Sequence, residues 1–214
     1  FKLPQGCAGT YWYHTHAHEF SAEQAFRGLA GTFIVKSHQD PMTDWAEQHW
    51  LFSDLRLDKQ GKIPDNTVLD WMNGRVGRFV LLNGQLQPKI SIKEATRIRV
   101  WNVCNARYLK LHIPDCDIIV IGTDGGLLET PQAPVSELLI VPAERYEIVL
   151  KPRKTGQLPL QNLPYNREKM MEEFKPITTV LANIVYTAGD QAVPTKLRTL
   201  PKFGKPTTEH TVGF

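Results

Sequence analysis

Between residues 79 and 150 the sequence sets out short apolar or alternating runs at 79–82, 90–92, 96–103, 108–112, 118–122, 137–141 and 146–150. They are parted by Asn83-Gly84, Pro114-Asp115, Asp124-Gly125-Gly126 and Pro142-Ala143. Runs this short suit strands, and the Asn-Gly, Pro-Asp and Gly-Gly punctuation turns the chain between them. A chain of this kind buries its apolar groups by pairing strands and stacking sheets, so an all-β sandwich or barrel is expected. Arg97-Ile-Arg-Val-Trp101 and Tyr108-Leu-Lys-Leu-His-Ile113 alternate polar and apolar residues, the period-two pattern of half-buried antiparallel strands. In this part of the chain only residues 166–174 look helical.

Upstream, 10–16 is an aromatic, β-favouring run, and 28–35 returns to strand. Between them 21–27 reads as one or two helical turns with Ser21 as N-cap and Gln24 at the third position after it. So few strands cannot close a core, and residues 1–36 must pack on something else, a partner domain upstream being the natural candidate. The polar, Pro-punctuated stretch 37–44 reads as a linker, and a second unit starts at Trp45.

Composition removes several function classes. A formal charge of +3 over 214 residues, with no Lys/Arg stripe, argues against a nucleic-acid footprint. No run of 18 apolar residues occurs, so no helical membrane span is expected. The chain starts at Phe1 with no leader-like pattern, which reads as a mature product or an excised piece. Cys7, Cys104 and Cys116 are not a disulfide framework; Cys104 and Cys116 could pair across a hairpin or stay as buried thiols.

The residues with the most chemistry are the histidines of Tyr13-His14-Thr-His16-Ala-His18. Neutral imidazole is a preferred ligand of copper, zinc, nickel and iron. On a strand, positions i and i+2 share a face with Cα atoms about 6.5–7 Å apart, whereas metal–nitrogen bonds are only about 2.0 Å. His14 and His16 therefore suit two neighbouring ions better than one, and they cannot fill a coordination shell alone. His38, His49, His112 and His210 are scattered singly and read as surface or satisfied core residues. No Cys adjoins a His, which argues against a Cys₂His₂ zinc site.

The run Gly9-Thr-Tyr-Trp-Tyr-His14-Thr-His16, with Gln24, Gly28-Leu-Ala-Gly31 and Ile34-Val35 at their spacings, closely resembles the second copper signature of multicopper oxidases. Residues 45–155 are similar to the middle cupredoxin domain of a three-domain member. The likeness there rests on Asn83-Gly84 with Pro88, Arg97 through Arg107, Thr123-Asp-Gly-Gly126 with Pro131, and Pro142-Ala143-Glu-Arg-Tyr146. Ala143 departs from the family's usual Gly. His18 resembles an extra histidine of the bacterial copper-efflux branch and is left unassigned.

The resemblance implies a cupredoxin-like Greek-key sandwich preceded by the terminal strands of an incomplete cupredoxin domain. The implied organisation is 1–36 closing a first domain, 37–44 as linker, 45–190 as a second domain with no copper of its own, and 191–214 leading to an absent third. His14 and His16 are implied as ligands of the paired type 3 coppers. Tyr11, Trp12 and Tyr13 are expected to pack as core around the strand, and Met170-Met171 as core or loop. The implied parent is a periplasmic or secreted oxidase that couples one-electron oxidation of cuprous ion, phenols or amines to reduction of O2 to water. Its partners would be its own remaining cupredoxin domains, O2 and a small reductant. The signatures that would complete its copper sites do not occur in this chain, so this segment alone is expected to be inactive. The alternative is a copper-free cupredoxin-fold structural or interaction protein of the periplasm.

Overall fold

The computed structural model describes every residue except 1, 190, 191, 203 and 214. The boundary expected between 190 and 191 therefore lies outside the described residues. The N-terminal part comprises β1 (Gly9–His14), α1 (Ser21–Phe26) and β2 (Ala30–Val35). Then come β3 (Ala46–Leu55), α2 (Val68–Asn73), β4 (Phe79–Leu82), β5 (Lys89–Ile92), β6 (Thr96–Asn102), β7 (Leu109–His112) and β8 (Cys116–Thr123). The chain continues through β9 (Gly126–Leu127), β10 (Glu137–Ile140), β11 (Arg145–Pro152), β12 (Gly156–Leu163) and β13 (Thr179–Tyr186).

A six-stranded sheet, ordered β4-β3-β6-β11-β8-β9, stacks on a five-stranded one, ordered β10-β7-β12-β13-β5. Alternation along each strand supplies the filling. Ile98 and Val100 of β6 meet Leu109, Leu111, Ile118, Val120, Ile148, Leu158, Leu160 and Ile184 in one core between the sheets. Each such side chain, fully buried, contributes about 1.5–3 kcal/mol.

The other face of the six-stranded sheet differs from expectation. β6 is buried at every position rather than at alternate ones, because its outward residues Arg97, Arg99 and Trp101 are covered as well. Met42 and Leu197 lie on Ile119, Ile121 and Val149 there, while Arg97 forms a two-pronged ion pair with Asp40 at 2.7 and 2.5 Å. The stretch 37–44 is thus pinned to the sheet at Asp40 and at Met42, the latter only 2% exposed, while His38, Gln39, Pro41, Thr43 and Asp44 stay exposed. Residues after β13 return to the same face, where the Leu197 N–H donates to the Glu129 carbonyl.

Some further expectations are revised. Residues 166–174 form no helix. Asn166 accepts from the Glu168 N–H in a local turn, and Glu168 and Met171 take φ of +52° and +56°. The segment is tied instead to the end of α2, through the Met170 N–H to Asn73 Oδ1 and Asn73 Nδ2 to the Met170 carbonyl. Met170 and Met171 are exposed loop residues. α1 forms where expected, but Phe20 occupies its N-cap position and makes no side-chain cap, while the Ser21 hydroxyl bonds the Ala17 carbonyl. Helix α2 is secured by a reciprocal Thr67–Asp70 capping box and by Arg56 on Asp70. All three cysteines are free, and Cys104 and Cys116 are buried thiols.

Candidate metal centre

β1 and β2 form a separate antiparallel pair, with Gly9 opposite Val35 and His14 opposite Ala30. This ribbon lies against the outer face of the six-stranded sheet. At its entry Gly126 (φ +93°) comes so close that a side chain there would sit 2.5 Å from the Ala8 carbonyl oxygen. Glycine at this position lets the β8–β9 turn press on the chain just before β1.

β1 ends at His14, so the two histidines do not share one strand as expected; His16 sits in the following coil. Their rings are nonetheless neighbours. Trp12 stacks on His14 with centroids 4.3 Å apart, and His14 lies 4.4 Å from His16. The three rings form a column that runs outward from the half-buried Trp12 and His14 to the exposed His16. Tyr13, expected in the core, is 63% exposed, whereas the Tyr11 hydroxyl donates to the Cys7 carbonyl.

His14 Nδ1 lies 2.9 Å from the Thr15 carbonyl oxygen. A carbonyl only accepts, so this contact puts the proton on Nδ1 and leaves the Nε2 lone pair free for a ligand role. A hydrogen bond on the far nitrogen is also what orients metal-binding imidazoles.

The strand carrying these rings is gripped from below. Thr10 is fully buried; its hydroxyl donates to Glu147 Oε1 at 2.7 Å and accepts from Arg99 Nη1 at 2.6 Å. The Thr10 carbonyl accepts from Arg145 Nε at 3.1 Å, and the next carbonyl, of Tyr11, accepts from Trp101 Nε1 at 2.7 Å. The four residues come from two adjoining strands: Arg99 stands opposite Glu147, and Trp101 opposite Arg145, in the antiparallel β6–β11 pair. Arg99 also reaches Glu47 Oε2, while His49 bonds Glu47 Oε1, both at 2.8 Å. Burial alone would raise the Glu47 carboxyl, but the bonds from His49 and Arg99 outweigh it and hold it at about 2. The Asp40 carboxyl is lowered in the same way: burial opposes the shift, and the Arg97 guanidinium and the Met42 N–H overcome it.

Downstream, the loop after the histidines is fastened twice. Asn105 Nδ2 donates to the Ala22 carbonyl of α1 at 2.7 Å, and the Arg75 guanidinium lies 4.2 Å above the buried Phe26 ring. These fastening residues carried no metal-ligand signal. The signal that could have pointed to it is charge in β6 at alternate positions, Arg97 and Arg99, on the side away from the apolar core.

Imidazole is a suitable donor for copper, so His14 and His16 fit part of a copper site. They do not make a whole one: among the described residues no group of three or more His, Cys, Asp or Glu is placed to hold a metal. His18 is exposed, and His112 is engaged with the Ser136 carbonyl.

A family model described as "Multicopper oxidase" matches residues 1–40, the segment that holds this ring column. Over nearly the whole chain the fold matches the solved multicopper oxidase from Campylobacter jejuni, titled a metallo-oxidase. The TM-score is 0.92 and the identity 42%, covering 97% of this chain and 44% of that one. The chain belongs to the multicopper oxidases.

The sandwich is accordingly cupredoxin-like. Among curated multicopper oxidases, that of Staphylococcus haemolyticus is 31% identical over 157 residues, or 70% of this chain and 34% of its own length. A cell division protein, FtsP of Photorhabdus laumondii, is 29% identical over 84% of this chain and 40% of its own length. The chain thus spans less than half the length of each of these relatives.

Proposed function

We propose that this chain is the part of a multicopper oxidase that supplies two ligands, His14 and His16, to a pair of type 3 coppers. The supporting observation is the contact of their rings, 4.4 Å apart, inside the span that the family model matches. On this reading 1–36 closes a first cupredoxin domain, 45–190 is a second domain without copper, and the remaining ligands lie elsewhere in the parent. Copper held there supplies one-electron redox steps between a small reductant, such as cuprous ion, a phenol or an amine, and O2, which is reduced to water.

The chain's own residues would hold and orient. His14 offers Nε2 because Nδ1 is committed to the Thr15 carbonyl, and Trp12 shields one face of that ring. Two rings side by side suit two neighbouring ions, one nitrogen to each. A periplasmic or secreted location goes with this reading, and the isolated segment should be inactive.

The test is His14→Ala and His16→Ala in the intact parent, with bound copper counted and O2 uptake followed. Each variant should lose copper and stop consuming O2; undiminished O2 uptake would falsify the ligand assignment. A second reading, a copper-free structural or interaction protein of the periplasm, draws support from the likeness to a cell division protein. A parent purified from copper-supplemented cells with no bound copper would favour it.

A further inference from the structure

Building on that ligand assignment, we propose that Trp101 and Arg145 are positioning residues for the histidine pair: the second unit, which contributes no ligand, sets where the ligand strand lies. The two side chains face each other across β6 and β11 and donate to consecutive backbone carbonyls of β1, those of Tyr11 and Thr10. A two-stranded ribbon such as β1–β2 has little stability of its own, so its placement comes from what it rests on. Tyr11 is three residues from His14, within the same short strand. A shift of the strand at Tyr11 is therefore carried along it to the Trp12–His14–His16 column.

Both donors are themselves fixed. Trp101 is fully buried and meets His49 edge-on at 5.5 Å. Arg145 is braced by the Ala143 carbonyl and by Asp124. Neither residue needs an indole N–H or a guanidinium aimed at β1 to complete the sandwich core, since that core is apolar and lies on the opposite face of the sheet. Their directed contacts serve the strand that carries the histidines. Interactions that orient ligands in this indirect way typically alter metal affinity 10–100-fold.

The probe is cuprous ion itself, titrated into the full 214-residue chain against a chromogenic chelator. Amide hydrogen exchange across residues 9–16 is recorded on the same metal-free samples. Trp101→Phe keeps an aromatic ring but removes the N–H; Arg145→Met keeps the stem but removes the guanidinium and tests the same grip without opening a buried ring site. Each should weaken cuprous binding at least about tenfold and speed exchange in β1. Leu160→Ala, in the core of the other sheet, should lower the melting temperature while leaving affinity unchanged. Unchanged affinity in both Trp101→Phe and Arg145→Met overturns the proposal, as does an equal loss of affinity in Leu160→Ala. His14→Ala/His16→Ala separates the two levels. If that double variant still binds cuprous ion normally, the ligand assignment falls and the positioning role with it. If it loses binding while the positioning variants keep theirs, only the positioning role falls.

Discussion

Arg99 and Glu147 stand opposite each other across the β6–β11 pair and both bond the hydroxyl of Thr10, a residue of the separate β1–β2 ribbon. Charge is buried here on a sheet face that would otherwise meet solvent. Arg97 and Arg99 are balanced by Asp40, Glu47 and Glu147 within a few ångströms. A buried charge pair is costly to break from one side, because the partner left behind has neither water nor a counter-charge.

Removing Glu147 should therefore destabilise strongly. Glu147→Leu is expected to cost about 3–5 kcal/mol, since both arginines lose a counter-ion. Thr10→Val, which removes only the hydroxyl between the charges, should cost about 1–3 kcal/mol. Urea unfolding followed by tryptophan fluorescence measures both, and equal effects would argue against a charge-centred joint.

The same joint makes stability depend on acid. Glu47 sits at about 2 in the fold against an ordinary value of 4.5, and Asp40 is lowered as well. A group whose pKa is lowered by folding adds stability that is complete above its unfolded pKa and is lost as pH falls towards its folded one. The melting temperature should hold down to about pH 5 and then drop steadily towards pH 2. In Glu47→Gln the drop should be shallower, which a pH series of thermal melts would resolve.

Ala143 occupies a backbone conformation that favours glycine, with φ +72° in the turn after Pro142. The Glu144 N–H closes that turn on the Val141 carbonyl. This geometry, Pro followed by a left-handed residue, fits a type II turn and explains why glycine is usual there. Ala143→Gly should stabilise by about 1 kcal/mol, relief of strain outweighing the added freedom of the unfolded chain. A lower melting temperature would contradict it.

The thiols should divide by burial. Burial pushes the Cys116 thiol up to about 12 and the Cys104 thiol well above its ordinary value, while Cys7 is only half-buried. Iodoacetamide at neutral pH should add one label, at Cys7, to the native chain and three in urea, as read by mass spectrometry.

The legible parts of the fold were those with local punctuation. Turn dipeptides and β-branched runs placed the strands between Phe79 and Leu150. β12 and β13, past the last of those runs, were harder to read. β12 contains Pro159, which argues against an inner strand. It is tolerated because β12 pairs with β7 only at Gln161, Asn162 and Leu163, leaving Pro159 with a single neighbour, β13. α2 could have been found from Thr67 and Asp70, the spacing of a capping box. At the site, the histidines were visible because ligand chemistry is local. The grip of Trp101 and Arg145 on β1 was not, since it joins residues about ninety and more positions apart.

That separation bears on how the molecule is assembled. Thr10 and Glu147 are 137 residues apart in the chain, and pairings between such distant residues form slowly because long loops must close first. Pulse-labelled hydrogen exchange during refolding should find the amides of β1 protected after those of β6 and β11. On a ribosome the histidines emerge before their bed, which is not made until β11 has been synthesised. The strand that bears His14 is made well before the bed it rests on and finds its place only after it.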